Sequence, residues 1–430
     1  MKTYIKLLPP VILIISILLL IYVFYLDKIY WNERKYYIFK NYYLISYLLI
    51  SFSIITFFVS NKIKEYLFIS ITTIILTLYL FEGYLTFNQI SKKQFHEKQS
   101  KYKRDIKTKF EIYKDRKKIN DKVVMRVSPN AYLKKKYPIF PLSGISNSET
   151  IYCNENEYYS IYQSDRYGFN NPDEEWNKKE IEYLLVGDSF AHGACVNRPN
   201  DIASVLRNLS GKSVLNLGYG GNGPLIEYAT LREYLNKNVK KILWIYFPND
   251  PQNLQNEEKK DILINYLNNL TFSQNLKLKQ KEINNLALKK IKIEMNEFIK
   301  KNSFKYELLK FAKLNQIRKK LLLRAPLPIP KPSSNFKKIL NLTKDLAYQN
   351  NAKLYFIYLP GDPKSKIKNN DNYNFVKNLV NELQIPFIDI QKEVIEKELN
   401  PYELYPNKGG HFNIKGYKKV AETIYQFTKN

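Results

Sequence analysis

The chain has 430 residues, 68 Lys+Arg against 40 Asp+Glu and a formal net charge of +28. That is more than one ordinary domain, and so basic a surface suits either nucleic acid or anionic lipid. Zinc-finger spacing, an aromatic RNA-binding signature and a discrete basic helix are all missing, and the lysines are scattered among Asn, Ile and Tyr, so no nucleic-acid partner is expected.

Residues 1–88 read as a transmembrane region of about three helices. Leu7 to Leu26 is almost wholly apolar and long enough to cross a bilayer. Tyr42 to Val59 is a second such run, and Tyr66 to Phe81 a third, closing at Glu82 and Gly83. Repeated long runs speak for retained helices, since a cleaved signal has one short apolar core. With three spans, the cluster from Lys92 to Lys107 would place everything after it in the cytoplasm by the positive-inside rule, a signal diluted in a chain that is lysine-rich throughout. Residues 89–150 are charged with only short apolar runs, and read as a juxtamembrane connector in which His96 is a solvated residue.

From residue 151 to 430 strands alternate with helices. Strands are expected at Glu182–Val186, Ser213–Leu217, Lys241–Phe247, Lys353–Leu359 and Pro386–Ile390. Helices are expected at Asp201–Leu209, Leu225–Asn236, Asn335–Asn350, Asn372–Leu383 and Ile414–Phe427. This alternation predicts a parallel sheet covered on both faces. Residues 251–333 interrupt it with Lys- and Asn-rich helical sequence, a helical insertion ending in the stiff stretch Pro326–Pro332.

The chemistry concentrates just after these strands. Gly187-Asp188-Ser189-Phe190 follows the first, where an α/β sheet presents ligand-binding groups. Asn216 through Pro224 leaves the second in a glycine cluster that includes Gly221, Asn249-Asp250 follows the third, and Gly410-His411 precedes the last helix. Each is ordinary turn or cap chemistry when taken alone. His192, three residues after Ser189, reads as a packing or surface residue, and Asp188 as a turn-shaping one.

In that order the segments resemble the SGNH/GDSL hydrolase family, over roughly residues 160–430. The resemblance implies a three-layer α/β/α, flavodoxin-like domain. It gives Ser189 the part of nucleophile and His411 that of general base, with Gly221 and Asn249 donating to the oxyanion. Asp165-Arg166-Tyr167-Gly168-Phe169-Asn170 also looks like a segment that precedes the nucleophile in membrane-attached members. A serine hydroxyl needs such a base, and the developing oxyanion needs such donors. Two positions depart from the pattern. The family places an aspartate three or two residues before the histidine, where this chain has Lys408 and Gly409, and Phe247 stands at the glycine of its third block. Either a dyad operates, or a carboxylate arrives from elsewhere; Asp389, at the end of the last strand, and Glu403 are the candidates.

The expected function is a membrane-anchored serine hydrolase of the esterase or deacetylase type, working through an acyl-enzyme on acyl esters of a glycan or a lipid. No cofactor and no metal is implied. The alternatives are an O-acyltransferase of envelope glycans and a catalytically silent binding module, the latter favoured by Lys408 and Gly409. Cys153 and Cys195 stand either as a disulfide or as two independent buried thiols. A disulfide would put the domain outside the cytoplasm, against the lysine count. The resemblance to members acting on envelope or exported substrates points to the same side.

Overall fold

The computed structural model describes residues 3–30, 36–99, 107–235, 238–321, 333–361, 371–406 and 410–429. The side chain of His96, the stretch Pro326–Pro332, and Lys408 and Gly409 fall outside the described residues. The chain forms two compact units, one of residues 1–102 with 297–328 and one of residues 103–296 with 329–430.

The first unit is built on α1 (Thr3–Phe24), α2 (Tyr36–Phe58) and α3 (Asn61–Gln99). They supply three apolar segments long enough to span a membrane, Ile5–Tyr30, Phe39–Phe58 and Asn61–Gln89. Along these segments the large apolar side chains of Ile14, Ile15, Leu18, Leu48 and Leu76 are exposed. The α1–α2 pair is antiparallel: Ser53 Oγ donates to the Pro9 carbonyl at one end (3.2 Å), and Tyr43 Oη to Asp27 Oδ2 at the other (3.2 Å).

The second unit opens with α4 (Lys109–Lys117), begun by a capping box in which Thr108 and Glu111 satisfy each other's backbone N–H groups. A small three-stranded sheet follows, β1 (Val123–Met125), β2 (Glu149–Ile151) and β3 (Ile161–Gln163), with β2 parallel to β1 and antiparallel to β3. Val124, Met125, Val127, Tyr132, Phe140 and Leu142 enter the main core. Residues 109–150 are therefore folded, which differs from the expected connector. Strands of three residues are too short to show an alternation in sequence.

The main sheet has five parallel strands in the order β5-β4-β6-β7-β8. They are β4 (Ile181–Gly187), β5 (Val214–Asn216), β6 (Val239–Tyr246), β7 (Lys353–Tyr358) and β8 (Phe387–Asp389). Successive side chains of β4 point to opposite faces and all find apolar company: Leu184 and Val186 in one core, Tyr183 and Leu185 in the other. The short helix α5 (Ser189–His192) follows β4. On one face lie α6 (Ile202–Ser210) and the final helix; on the other lies α7 (Pro224–Tyr234). The insertion begins as α8 (Asp250–Glu257), α9 (Asp261–Asn268) and α10 (Gln280–Lys301), whose Leu254, Leu263, Tyr266 and Ile283 join the α7 side of the core. It continues in α11 (Phe304–Ala312) and α12 (Asn315–Lys320), which belong to the first unit. The α7 face is completed by α13 (Ser334–Gln349) and α14 (Asp371–Glu382); α15 (Ile390–Glu393) follows β8, and α16 (Ile414–Thr428) packs beside α6. Helices on both faces of a parallel sheet make the expected three-layer α/β/α domain.

Candidate active site

Strand order builds the site. β4 lies between β5 and β6, so the turn after β4 is flanked by the turns after both neighbours. The three segments carrying Ser189, Gly221 and Asn249 thus leave adjacent strands at their carboxyl ends, where parallel sheets bind ligands. The β5 turn is tied down by the Tyr219 N–H donating to the Gly187 carbonyl (3.1 Å).

Ser189 opens α5 with Asp188 as its cap. Asp188 Oδ1 accepts from the Phe190 N–H (2.9 Å), the turn-shaping role expected of it. Its other oxygen lies 3.2 Å from Ser189 Oγ, while His411 Nε2 lies 2.7 Å from that hydroxyl. The shorter bond goes to the histidine. The Asp188 carboxyl is raised above the usual range by burial, opposed by the Phe190 N–H and the nearby His411 charge.

His411 is brought 222 residues along the chain to this hydroxyl, just before the Asn413 cap of α16. Its ring is packed by Phe190 at 4.8 Å, and Phe190 rests in turn on Phe247 and Phe412. Phe247 therefore supports the residue that packs against the His411 ring.

The carboxylate that meets the His411 ring is Glu155, a residue the sequence did not single out. Its oxygens lie 3.0 and 2.9 Å from His411 Nδ1, and Oε2 also accepts the His411 backbone N–H at 2.7 Å. A carboxylate there puts the imidazole proton on Nδ1 and leaves the Nε2 lone pair for the Ser189 hydroxyl. Burial pushes the Glu155 carboxyl up, but the hydrogen bonds and charge of His411 outweigh it and hold it below the ordinary range. Gly410 makes this approach feasible. Its φ is +110°, and a Cβ there would sit 2.4 Å from Glu155 Oε2.

Neither carboxylate expected to orient the histidine does so. Asp389 accepts from Tyr373 Oη (2.5 Å) and caps α15 through the Lys392 N–H (3.3 Å), so its position at a strand end serves a helix start. Glu403 is held by Lys415 at 2.7 Å on the surface.

The Glu155 loop joins β2 to β3, and three links bind it and the start of β3 to the segment after Ser189. Cys153 and Cys195 form a disulfide with Cα atoms 5.0 Å apart, Asn156 Nδ2 donates to the Cys195 carbonyl (3.0 Å), and the Ile161 N–H donates to Asn197 Oδ1 (2.8 Å). The Cys195 sulfur lies within 4.8 Å of ligand atoms of both Glu155 and His411. Bonded to Cys153, it offers no thiolate to a metal, and the other two groups already bind each other.

Around Gly221 the backbone needs glycine. Its φ is +89°, and a Cβ would come within 2.4 Å of Ser128 Oγ and 2.8 Å of Asn130 Nδ2. The preceding peptide is fixed by Ser128 Oγ and Arg126 Nη1, both donating to the Gly220 carbonyl at 2.6 Å. His192 completes this clamp: its Nδ1 accepts the Gly220 N–H at 3.1 Å, and its ring is buried among Tyr152, Tyr162 and Tyr219. Burial, then the charges of Arg126 and His411, drive His192 far below the ordinary histidine range, so it is a neutral packing residue. Asn249 caps α8, half-buried, with no hydrogen-bond partner for Oδ1 among the described residues.

The upstream segment at Asp165 is structural. Its buried carboxylate collects the N–H groups of Tyr167 and Phe169, Asn171 Nδ2 and the Trp176 indole. Burial still raises its pKa to about 6, against those four donors. Asn170 Nδ2 donates to the His192 carbonyl (3.0 Å), linking this segment to α5.

No family model matches the sequence, and no curated protein does. Similar solved structures include a putative lipolytic protein of the G-D-S-L family from Desulfitobacterium hafniense, at 13% identity and a TM-score of 0.34, covering 57% of this chain and 99% of that one. An acetyl xylan esterase is 13% identical with a TM-score of 0.33, covering 57% of this chain and 99% of its own. A variant of an acetyl-xylooligosaccharide esterase from Geobacillus Stearmophilus is 14% identical with a TM-score of 0.31, covering 58% and 94%.

Proposed function

We propose that this chain is a membrane-anchored serine hydrolase of the SGNH type that cleaves acyl esters through an acyl-enzyme on Ser189. The observation that carries the reading is the unbroken line from Ser189 Oγ to His411 Nε2 (2.7 Å) and from His411 Nδ1 to Glu155 (2.9 Å). Nothing in ordinary packing requires a hydroxyl, an imidazole and a carboxylate from three distant segments to meet in that order at a strand's carboxyl end.

In this mechanism Ser189 Oγ attacks the ester carbonyl while its proton passes to His411 Nε2. Glu155 stabilises the imidazolium that forms. The negative charge on the former carbonyl oxygen is met by the N–H groups of Ser189 and Gly221 and the amide of Asn249, each such donor contributing about 3–4 kcal/mol in comparable sites. His411 returns the proton to the leaving alkoxide as the C–O bond breaks, releasing the alcohol. Water then attacks the acyl-enzyme with His411 again as base, freeing the acid and Ser189. A sugar hydroxyl in place of that water would make the same site an acyltransferase. The reason to expect a silent module was the missing carboxylate beside the histidine, and Glu155 supplies one.

The disulfide supports a location of this domain outside the cytoplasm, where thiols are oxidised. The test is a fluorophosphonate probe on the full chain in detergent. Wild type should label, Ser189→Ala should not, and His411→Ala should label far more slowly. Absence of labelling in a folded wild type would end the hydrolase reading.

A further inference from the structure

The insertion that interrupts the α/β domain does not end within it: α11 and α12 belong to the membrane unit. Their contacts fall at one end of the three-helix bundle. Lys313 Nζ stands 6.0 Å from the Tyr22 ring, near the end of α1, and Arg318 donates to Tyr42 Oη at 2.8 Å, near the start of α2. On α3, Tyr79 Oη donates to the Ala312 carbonyl at 2.9 Å and its ring lies 5.6 Å from Phe311. Three-quarters of the way along the same span, the buried Glu82 accepts the N–H groups of Gln316 (2.8 Å) and Ile317 (2.9 Å). Because α1 and α2 are antiparallel, the end of the first, the start of the second and the end of the third share one face of a bilayer. A hydrocarbon core of about 30 Å takes about 20 helical residues. Counted from Tyr66, the first residue after Lys62, Lys64 and Glu65, that reaches Leu85, so Tyr79 and Glu82 stand in the last two turns before the boundary between acyl chains and headgroups.

The segment at that level is amphipathic. On α11, Phe304, Leu308 and Phe311 recur at helical spacing with Ala312 and Leu309 beside them, while Tyr306, Glu307 and Lys310 lie on the other side. Phe311 is engaged by Tyr79, but Phe304 is 79% exposed, Leu308 51% and Leu309 47%. Residues 297–321 carry eight Lys and Arg against two Glu. A helix with an apolar stripe and basic flanks, anchored beside transmembrane helix ends, has the chemistry of an in-plane interfacial helix. Each basic side chain near an anionic surface contributes about 1 kcal/mol of attraction.

We propose that residues 297–321 form an interfacial foot. In it α11 lies along the membrane surface with Phe304, Leu308 and Leu309 in the acyl–headgroup boundary, and Lys305, Lys319 and Lys320 engage anionic phospholipid headgroups. The proposal goes beyond the hydrolase reading and is independent of it. It rests on the apolar helices crossing a bilayer.

The test uses the full chain, whose two native cysteines are bonded to each other. Leu308→Cys and, on the opposite side of α11, Lys310→Cys are each labelled with bimane and reconstituted in vesicles of phosphatidylcholine with phosphatidylglycerol. The label at 308 should be quenched by a lipid with a nitroxide near its headgroup several-fold more strongly than the label at 310, and several-fold less strongly by aqueous iodide. Native mass spectrometry should show retained phosphatidylglycerol, lost when Lys305, Lys319 and Lys320 are changed together to Gln. Equal iodide quenching at both sites would overturn the proposal. So would a label at 308 that neither quencher reaches, since a second protein copy would then cover the face. Retention of phosphatidylcholine and phosphatidylglycerol alike would overturn its headgroup half.

Discussion

Glu155 is the residue on which the proposed chemistry is most exposed to test. It makes two different contacts with His411: one oxygen accepts the backbone N–H at 2.7 Å, and the carboxylate faces ring Nδ1 at 2.9–3.0 Å. The first is the same in ground and transition states, so its loss loosens the Gly410-His411 turn without entering the rate directly. The second strengthens when the ring becomes an imidazolium. Losing a contact of that kind costs roughly 2–4 kcal/mol, or about 30- to 1,000-fold in kcat. Glu155→Ala should therefore lose about that much. Glu155→Gln should lose at least as much, because its amide keeps the shape, removes the charge and presents an N–H group to Nδ1. That favours the tautomer with the proton on Nε2, which cannot accept the Ser189 proton, and inverting the tautomer in such triads costs about 10⁴-fold. The assay is hydrolysis of p-nitrophenyl acetate by the full chain in detergent, with thermal unfolding as the control for fold. Formate, filling the space left by Ala, should restore part of the rate to Glu155→Ala and none to Glu155→Gln. If both variants stay folded and within about threefold of wild type, under about 1 kcal/mol, Glu155 is not the orienting group and the proposed triad fails.

Asn249→Ala should lower kcat about 10²- to 10³-fold with KM nearly unchanged, as for removal of one oxyanion donor, read in the same assay. Cys153→Ser or Cys195→Ser should lower kcat towards the Glu155→Ala value while fluorophosphonate still labels Ser189, since the bond holds the loop that carries Glu155; formate should rescue these variants too. Burial, followed by the charges of Asp250, Asp188 and Glu257, raises the Glu227 carboxyl well above its ordinary range. A carboxyl raised in the folded state stays protonated there while the unfolded chain ionises, so its favourable contribution is full below pH 4.5 and is lost as pH rises through the folded pKa. Burial raises Glu257 the same way, from 4.5 to about 8. The unfolding temperature should therefore fall between about pH 5 and 8, and Glu227→Gln should flatten part of that slope.

The main domain was legible because each strand of its sheet is buried on both faces and so reads as a continuous apolar run. β4 through β7, and helices with one apolar side such as α13 and α16, announce themselves by period alone. Ser189, His411 and the glycine turn could be placed because each borders such an element. Glu155 could not. It sits in a loop between two strands of three residues, and it reaches His411 only through a pairing of segments 256 residues apart. The one available signal was the cysteine two residues before it, with its partner six residues after Ser189. A disulfide drawn between those positions carries residue 155 to the nucleophile. Asp389 lies at a strand end, and no sequence pattern tells a carboxylate that caps the next helix from one that turns toward a histidine.

The division of the insertion between the two units follows from side-chain composition. Up to Ile291 the buried positions of α10 are apolar and recur at helical spacing, Ile283, Ala287 and Ile291, and they join the domain core. Beyond Glu297 that stripe passes to residues that the α/β core leaves uncovered, and basic side chains crowd around them. A long chain excursion costs little closure entropy as it lengthens, so its persistence needs a contact at the far end that repays ordering some twenty residues. Glu82 provides one. A carboxylate within an apolar span is costly unless fully hydrogen-bonded, and here two backbone N–H groups of the returning segment meet it. Glu82→Leu would relieve the span of a polar group yet leave those two N–H groups at the membrane boundary without their acceptor. The expected result is a bundle that inserts normally and an α11–α12 segment that becomes open to protease in vesicles. A segment as protected in Glu82→Leu as in wild type would mean that apolar contact alone holds it there.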